Sequence, residues 1–593
     1  MNSNINSNAN TNTNININTD INTDINPIAN EKILLVLLPY WAPVLPPVGL
    51  GRLKRFLQPH GYQVNIVDFI VKNEAMEFYY NYFDVLKKCI PEAKRGNFKN
   101  IGHDVLRNHM MAHMNYHDEL QYIELIKIVI ARSYYVDIDD AYIRELNEIM
   151  AGYFKILGKY FLFLIEFEEP DVLGATVYRD TIAATMFVMK LAKEKYPHIK
   201  TVIGGGIFAD SHMVGSPNYE RLLEVSRDYI DKIIIGEGEL LFLKYLQGRL
   251  PIEQRVYTSA DINGELLNLK NAQPPDFSDL NVQKYAYLPG TASFSCKYKC
   301  SFCNEVRFRG KYQKRDIKEA VDEMAQLYNA VELNNVDSGH QLFFMTDSLI
   351  NPVITELAEE LIRRNMSLYY DGYYKVDDAA ADVNNTFLWR KSGLYRVRLG
   401  VESGSQKVLD LIHKGITLNQ IKTSIKNFAL AGIKTTTYWV IGHPGETEAD
   451  FQMTLDLVTE LRNFIYQAEC NPFLYHYSGQ NSADEWQDKR VLLYPEDARD
   501  ILIFDSWTLD LEPVREVAYE RMHRFVEHCR QLELPNPYSS KEIFDADQRW
   551  EKLQKFAVPP LEKFSTPGNI IRENLKERRP GGKCRVDDRA FNI

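Results

Sequence analysis

The sequence predicts an α/β protein with a doubly wound parallel-sheet domain, a partial (β/α)6 barrel and a helical carboxy-terminal region. Three observations predict it. Short apolar runs alternate with helical stretches from residue 31 to about 250, and again from 286 to about 480. The apolar runs are apolar throughout, as strands of a parallel sheet covered on both faces are. The chain has 593 residues, too many for one ordinary core.

The elements follow in order. Residues 1–30 are almost wholly Asn, Ile, Thr and Ser. They lack the basic start and continuous apolar centre of a secretory signal and are expected to form a disordered tail. The first domain is assigned to 31–250. Its strands are "KILLVLLP" (32–39), "QVNIVDF", "PDVLGATVY" (170–178), "KTVIGGG" (200–206) and "DKIIIGEGE" (231–239). A helix with Leu50, Leu53 and Leu57 on one face follows the first strand, and "TIAATMFVMKLAKEKY" (181–196) is an amphipathic helix. This is a Rossmann-like arrangement, with ligands expected beyond the carboxyl ends of the strands. A Tyr-, Met- and His-rich insertion at 71–169 reads as mostly helical. Residues 251–285 carry the turn and Pro signals of a linker.

The second series spans 286–480, with strands "GTASFSC", "QLFFMTD", "LYYDGYY", "YRVRLGVES", "IKTTTYWVIGHPG" and "YQAECNPFLY". Six units are too few for a closed eight-fold barrel and suit a partial one. Tyr369, Tyr370, Tyr373 and Tyr374 share its third strand, as cavity or packing residues. Residues 481–593 are helical and aromatic, with His523 and His528 read as surface or packing groups.

Composition narrows the function. A formal net charge of -11 argues against a general nucleic-acid binder. No run of about 18 apolar residues suggests a membrane span. A cytoplasmic location is expected, where thiols stay reduced and clustered cysteines suggest metal before disulfide. Of the seven cysteines, Cys89, Cys470, Cys529 and Cys584 are scattered and read as inert thiols.

Cys296, Cys300 and Cys303 lie together in "SFSCKYKCSFCNE", spaced C-x3-C-x2-C. On a helix they would share one face. Structural zinc asks for a closed set of four ligands, and no second Cys or His pair of suitable spacing is present. Three thiolates suit a cubane iron–sulfur cluster with one iron open to a reactant.

C-x3-C-x2-C with Phe302 before the last Cys, after the first strand of a partial barrel, resembles the radical S-adenosylmethionine (SAM) superfamily. The resemblance implies a 4Fe-4S cluster on Cys296, Cys300 and Cys303. The open iron would chelate the methionine end of SAM, and one electron would cleave it to a 5′-deoxyadenosyl radical. Later segments match in order. Asp347 in "FFMTDSLIN" falls where the family supports the methionine amine, though without its commoner Gly-Gly-Glu form. Glu402 and Ser403 in "RLGVESGSQKVLDLIHKGIT" fall where it contacts the ribose and carboxylate. Gly442 and Pro444 in "YWVIGHPGETEADF" fall where it lines the adenine.

The first domain resembles the cobalamin-binding domain that precedes many radical SAM cores. The matching residues are Pro47 and Gly49 in "LPPVGLGRL", Thr176 and Tyr178 in "GATVYRDT", Gly204, Gly205 and Gly206 in "VIGGG", and Gly236, Glu237 and Gly238 in "IIIGEGE". The Asp-x-His-x-x-Gly motif of cobalamin mutases is absent, so no protein histidine is expected on cobalt. A methylthiotransferase is disfavoured, because only Cys89 precedes position 296. The resemblance implies a cobalamin-dependent methyltransferase acting on an unactivated carbon of a natural-product, peptide or carrier-bound substrate. A low-potential donor such as flavodoxin or ferredoxin would supply electrons. The alternatives are a radical SAM cyclase or rearrangement enzyme, and a non-catalytic iron–sulfur or zinc protein.

Overall fold

The computed structural model describes residues 31–39, 43–209, 211–265, 274–332, 342–477, 484–502, 506–536 and 540–554. The tail at 1–30, Cys584 and residues 266–273 of the expected linker lie outside the described residues.

The first sheet has six parallel strands: β1 (Lys32–Leu37), β2 (Gln63–Asp68), β3 (Val172–Thr176), β4 (Lys200–Gly204), β5 (Lys232–Ile234) and β6 (Val256–Tyr257). Their order is β2-β1-β3-β4-β5-β6, so the winding reverses between β1 and β3. The alternation of side chains along β1 divides two cores. Ile33, Leu35 and Leu37 pack with Leu50 and Leu57 of helix Val48–Leu57 and Phe242 of helix Gly238–Leu246. Leu34 and Val36 join the larger core that includes the insertion. β6 lies inside the segment read as linker, where its two residues pair with β5. Two residues are too few to show a period in sequence.

The insertion is helical, as expected: Asn73–Cys89, Glu92–Arg95, Phe98–Asn115, Glu119–Tyr134 and Asp140–Glu168. "YFLFLIEF" belongs to the last of these helices. Phe69, at the end of β2, stacks edge-on against Tyr160 of that helix, which ties the insertion to the sheet.

The second sheet also has six parallel strands: β7 (Leu288–Gly290), then, beyond a ribbon of β8 (Ser293–Phe294) and β9 (Gln313–Lys314), β10 (Leu342–Met345), β11 (Tyr369–Lys375), β12 (Leu394–Glu402), β13 (Lys434–Ile441) and β14 (Gln467–Pro472). Its order, β14-β13-β12-β11-β10-β7, is that of an open (β/α)6 barrel. The expected first strand "GTASFSC" is corrected by the structure. The barrel strand ends at Gly290, and Ser293–Phe294 pairs antiparallel with Gln313–Lys314 instead. The cysteines follow this ribbon in an irregular loop, not on a helix face.

Both edges of the open barrel are covered. At β7, the main-chain N–H groups of Ala286 and Tyr287 donate to the carbonyls of Pro43 and Val44, from the loop after β1. At β14, Asn97 donates through Nδ2 to the Cys470 carbonyl at 2.9 Å and to Asn471 Oδ1 at 3.0 Å. The Ala468 N–H donates to the carbonyl of Pro535. The insertion thus covers an edge that would otherwise leave unpaired main-chain groups.

Helices Arg515–Gln531 and Ser540–Leu553 make the carboxy-terminal region, joined by a short antiparallel pair, β15 (Arg490–Leu492) and β16 (Trp507–Leu509), that the sequence did not signal. Phe525 packs on Trp439 of β13. His528 bonds Thr459 at 2.7 Å and His523 lies against Gly96, packing roles in both cases. Among the described residues no helix is long and apolar enough to cross a membrane.

Lys434 Nζ and Asp547 Oδ1 stand 2.5 Å apart with both side chains 1% exposed. Removing Asp547 would leave the Lys434 ammonium buried without its carboxylate, and the Tyr466 hydroxyl without the acceptor it meets at 2.7 Å. Asp547→Ala is therefore expected to destabilise the attachment of helix Ser540–Leu553 by about 3–5 kcal/mol. Limited proteolysis should then cut this helix at denaturant concentrations where the wild type resists.

Candidate active site

The three cysteines sit at the mouth of the barrel in a loop pinned at its middle. The Ser301 N–H donates to the Ile412 carbonyl at 2.9 Å, and its hydroxyl lies 3.1 Å from His443 Nε2. Burial drives the His443 pKa down to about 4, so the ring is neutral near pH 7. Its Nδ1 lies 3.0 Å from the Pro444 carbonyl, which can only accept. Nδ1 therefore carries the proton, and Nε2 accepts from Ser301. This bond joins the cysteine loop to "GHPGE" after β13.

Burial raises the thiol pKa of all three cysteines, Cys303 to about 12. Each thiol near enough to feel another raises it further: Cys300 acts on Cys296, and both act on Cys303. Lys414 opposes this at Cys300. Burial also works against the charge on Lys414, but Glu402 and the thiols outweigh it and raise its pKa. Lys375, with its ammonium 3.5 Å from the Tyr298 ring centroid, adds a second positive charge beside the loop. Among the described residues no three His, Cys, Asp or Glu side chains are gathered closely enough to hold a single metal ion. The donor set fits an iron–sulfur cluster on other grounds. Three thiols lie on one loop, with Cys300 buried and Cys296 and Cys303 partly exposed, and two cations are placed to favour thiolates.

Glu402 owes its aim to a break in regularity. The register between β12 and β13 shifts between Gly400 and Glu402, and Glu402 has φ 68°. Such a bulge re-aims a side chain at the end of a strand. The carboxylate then meets Lys414 Nζ at 2.5 Å, both side chains being buried. Gly400 leaves the room for this pair: a Cβ there would lie 2.4 Å from Glu402 Oε1 and 2.7 Å from Lys414 Nζ.

The other residues expected at SAM divide. Phe302 is partly buried, with the Lys414 ammonium 5.9 Å from its ring centroid. Asp347 is buried at the end of β10 and accepts from the Ala292 N–H at 3.1 Å and the Ser293 hydroxyl at 2.5 Å. Burial lifts its pKa to about 6. Ser403 is turned into packing: its hydroxyl meets Thr454 and accepts from the Ser405 N–H. The Gly442 N–H donates to Glu446 Oε1 at 3.1 Å, and Arg521 of the carboxy-terminal helix donates to the same oxygen at 2.9 Å. Pro444 shares this turn.

A cavity of about 840 Å³ joins the two sheets. On the first-domain side it opens at the reversal between β1 and β3, with Pro47, Gly49, Thr176, Tyr178, Gly204, Gly205, Gly236, Glu237 and Gly238 in its wall. Gly206, also expected there, is not in the wall: its α-carbon faces the Tyr178 ring, 3.0 Å from where a Cβ would stand. At Gly49 and Gly236 an added Cβ would meet nothing within 4 Å, and Gly236 has φ +105°. On the barrel side the wall includes Thr291, Phe294, Phe344, Thr346, Asp347 and Tyr373, together with Ser348 and the charged Glu305 and Arg309. The tyrosines of β11 split by face. Tyr373 is 39% exposed, whereas Tyr370 and Tyr374 are fully buried on the opposite, helix-covered face.

Sequence reasoning missed Lys375, Lys414 and His443. Lys414 lies twelve residues after Glu402, in a loop whose return to the strand end no periodicity announces. It also missed that Arg396 and Arg398 face inward with Glu402, although period-two alternation along β12 carried that signal.

Residues 292–458 match the family model described as the Radical SAM superfamily. The chain is 28% identical over 327 residues to the anaerobic magnesium-protoporphyrin IX monomethyl ester cyclase of Rubrivivax gelatinosus, covering 50% of this chain and 56% of that protein. It is 23% identical over 359 residues to the cytidylyl-2-hydroxyethylphosphonate methyltransferase of Streptomyces wedmorensis, covering 49% and 62%. The chain thus spans a little over half the length of these curated relatives. In fold it is similar to the radical SAM methyltransferase TsrM from Kitasatospora setae, solved with tryptophan and a SAM analog bound (TM-score 0.50, 15% identity, 74% of this chain and 73% of that one).

Gly400→Ala is expected to displace the ends of Glu402 and Lys414, which are flexible and can shift together. The loss should therefore stay well below the roughly 3–5 kcal/mol of removing one partner of a buried pair. Thermal melting checks this against Gly49→Ala, whose Cβ meets nothing and which should melt no lower than the wild type.

Proposed function

We propose that this chain, a radical SAM enzyme by its domain at 292–458, is a cobalamin-dependent methyltransferase acting on an unactivated carbon. The observation that carries the reading is the single cavity shared by the β1/β3 reversal and the mouth of the barrel. A volume of about 840 Å³ is at the upper end for a ligand pocket. Cys296, Cys300 and Cys303 would hold the cluster. The β1/β3 wall, open at Gly49 and Gly236, would hold cobalamin. When bound, the cluster supplies the electron that cleaves SAM and cobalamin carries the methyl group.

The chain's own residues position and exclude. Lys414 and Lys375 favour the thiolate forms of the cysteines. Glu402, held by Lys414, presents a buried carboxylate at the barrel mouth, where it would orient SAM. Asp347 fixes Ala292 and Ser293, and with them the start of the cysteine loop. Phe294, Phe344 and Tyr373 line the space between the two cofactor walls, where a substrate would be kept from water.

A cyclase reading is favoured by one observation, the printed name of the relative from Rubrivivax gelatinosus. One experiment separates the two. The protein is purified without oxygen, loaded with iron, sulfide and cobalamin, and given SAM, a low-potential reductant and candidate substrates. Retained cobalamin with both 5′-deoxyadenosine and S-adenosylhomocysteine is the expected result. Deoxyadenosine without S-adenosylhomocysteine would replace methyl transfer by the cyclase reading. Cys300→Ala should abolish deoxyadenosine formation. Gly236→Val, which places a side chain in the cavity at a positive φ, should lower retained cobalamin at least tenfold with iron content unchanged.

A further inference from the structure

Alternate residues of β12 face the inside of the barrel. Below Gly400 and Glu402 these are Arg398 and Arg396, which share one carboxylate, Asp371 of β11. The share is unequal. Arg396 holds Asp371 Oδ2 through Nε at 2.7 Å and Nη2 at 2.5 Å, and Nη2 also donates to the Tyr287 hydroxyl at 2.7 Å. The Tyr395 hydroxyl reaches the same Oδ2 at 3.3 Å. Arg398 reaches it only through Nη2, at 3.1 Å. Its Nη1 stands 3.5 Å from the Tyr438 hydroxyl, at the limit of a hydrogen bond. Arg398 Nε is buried without a partner among the described residues, and so is Asp371 Oδ1. A guanidinium placed to neutralise Asp371 would take that open oxygen; Arg398 does not.

Two guanidinium groups therefore face one carboxylate. The neighbouring groups do not restore the balance. Burial raises the hydroxyl pKa of Tyr395 and Tyr438, which therefore add no charge, and Lys434 of β13 is matched by Asp547. Glu469 of β14 acts on Tyr438 and accepts from Asn100 of the insertion at 3.5 Å. The Arg398 guanidinium is flanked by the rings of Phe344, 4.8 Å away, and Tyr373, 5.7 Å away. Both rings line the cavity. The result is a flat cation, 17% exposed and with an unpartnered Nε, held against the two aromatic rings that line the cavity. A guanidinium so placed matches the planar donor pattern that a carboxylate or phosphate accepts in pairs.

We infer that Arg398 is a substrate-binding residue and that the substrate carries an oxyanion, a carboxylate or phosphate, on or beside an apolar body that lies against Phe344 and Tyr373. This rests on the reading of the cavity as the reaction chamber. The test uses the full chain loaded with cluster, cobalamin and SAM, so that the carboxylate of SAM is already accommodated. Phenylacetate, phenyl phosphate and the neutral phenylacetamide are titrated by calorimetry. At least one acid is expected to bind ten times more tightly than the amide. The tighter of the two acids identifies the class as carboxylate or phosphate. Arg398→Gln should abolish the preference while binding phenylacetamide as the wild type does, and Arg398→Lys should retain part of it. Equal binding of acids and amide by the wild type, a comparison needing no variant, would overturn the inference. So would an undiminished preference in Arg398→Gln. The assay reads binding and not turnover. Cleavage of SAM without an oxyanion preference sinks this inference alone, whereas an oxyanion preference without S-adenosylhomocysteine formation sinks the methyl-transfer reading alone.

Discussion

An open barrel has two edges, and the structure is arranged around covering them. Six parallel strands do not close on themselves here, so β7 and β14 each present main-chain groups that a closed barrel would pair. The chain meets this with material from outside the barrel. Pro43 and Val44, from the loop after β1, bond beside β7, while Asn97 of the insertion and Pro535 of the carboxy-terminal region bond at β14. The first domain is thereby fixed to the barrel at both edges. A dinucleotide-type sheet and a barrel each place their ligands at the carboxyl ends of their strands. Fixing the two with these ends facing makes one shared cavity instead of two separate sites. The joint also holds through Tyr285, whose hydroxyl donates to Asp68 at 2.7 Å, and through the Lys54–Asp279 pair at 2.6 Å.

The fold was legible where side-chain period and turn chemistry agree. The strands β1 to β5 and β10 to β14 match the runs read as strands to within one residue, at Lys375 and Leu394; most are long enough to show their pattern, and the three-residue β5 sits in a longer apolar run. The failures have a common cause, which is length. β6, β8, β9, β15 and β16 have two or three residues each, and pairing partners distant in sequence decide whether so few residues become strand. The insertion shows the opposite limit. Its helices were plain, but its task is written in Asn97 and Asn100, polar residues whose partners on β14 are over 350 positions away.

The site was legible in its covalent chemistry and less so in its electrostatics. A three-cysteine loop and a set of strand-end glycines can be read one residue at a time. The compensation of charge around them cannot. Lys414 answers Glu402, Lys375 approaches the cysteines across the barrel mouth, and Ser403 is diverted to Thr454 by the close passage of helix Glu448–Leu461. Ser403 shows why a motif position does not settle a role: its hydroxyl is already engaged by Thr454 and Ser405.

The same accounting explains why the barrel interior is charged at all. Burying an ion costs several kcal/mol unless a partner and hydrogen bonds offset it, so a barrel that needed only stability would be filled with aliphatic side chains, as closed barrels are. Here the inward positions of β12 are Arg396, Arg398, Gly400 and Glu402, and those of β11 include Asp371 and Tyr373. Two of the charges are neutralised in place, Glu402 by Lys414 and Asp371 by Arg396. Each of these pairs fixes a side chain at a stated depth below the cavity. The charge left over, on Arg398, stands against the rings of Phe344 and Tyr373, which line the cavity. An unbalanced guanidinium costs the folded chain stability at that place, and its natural counter-charge is one that arrives with a ligand and leaves with the product.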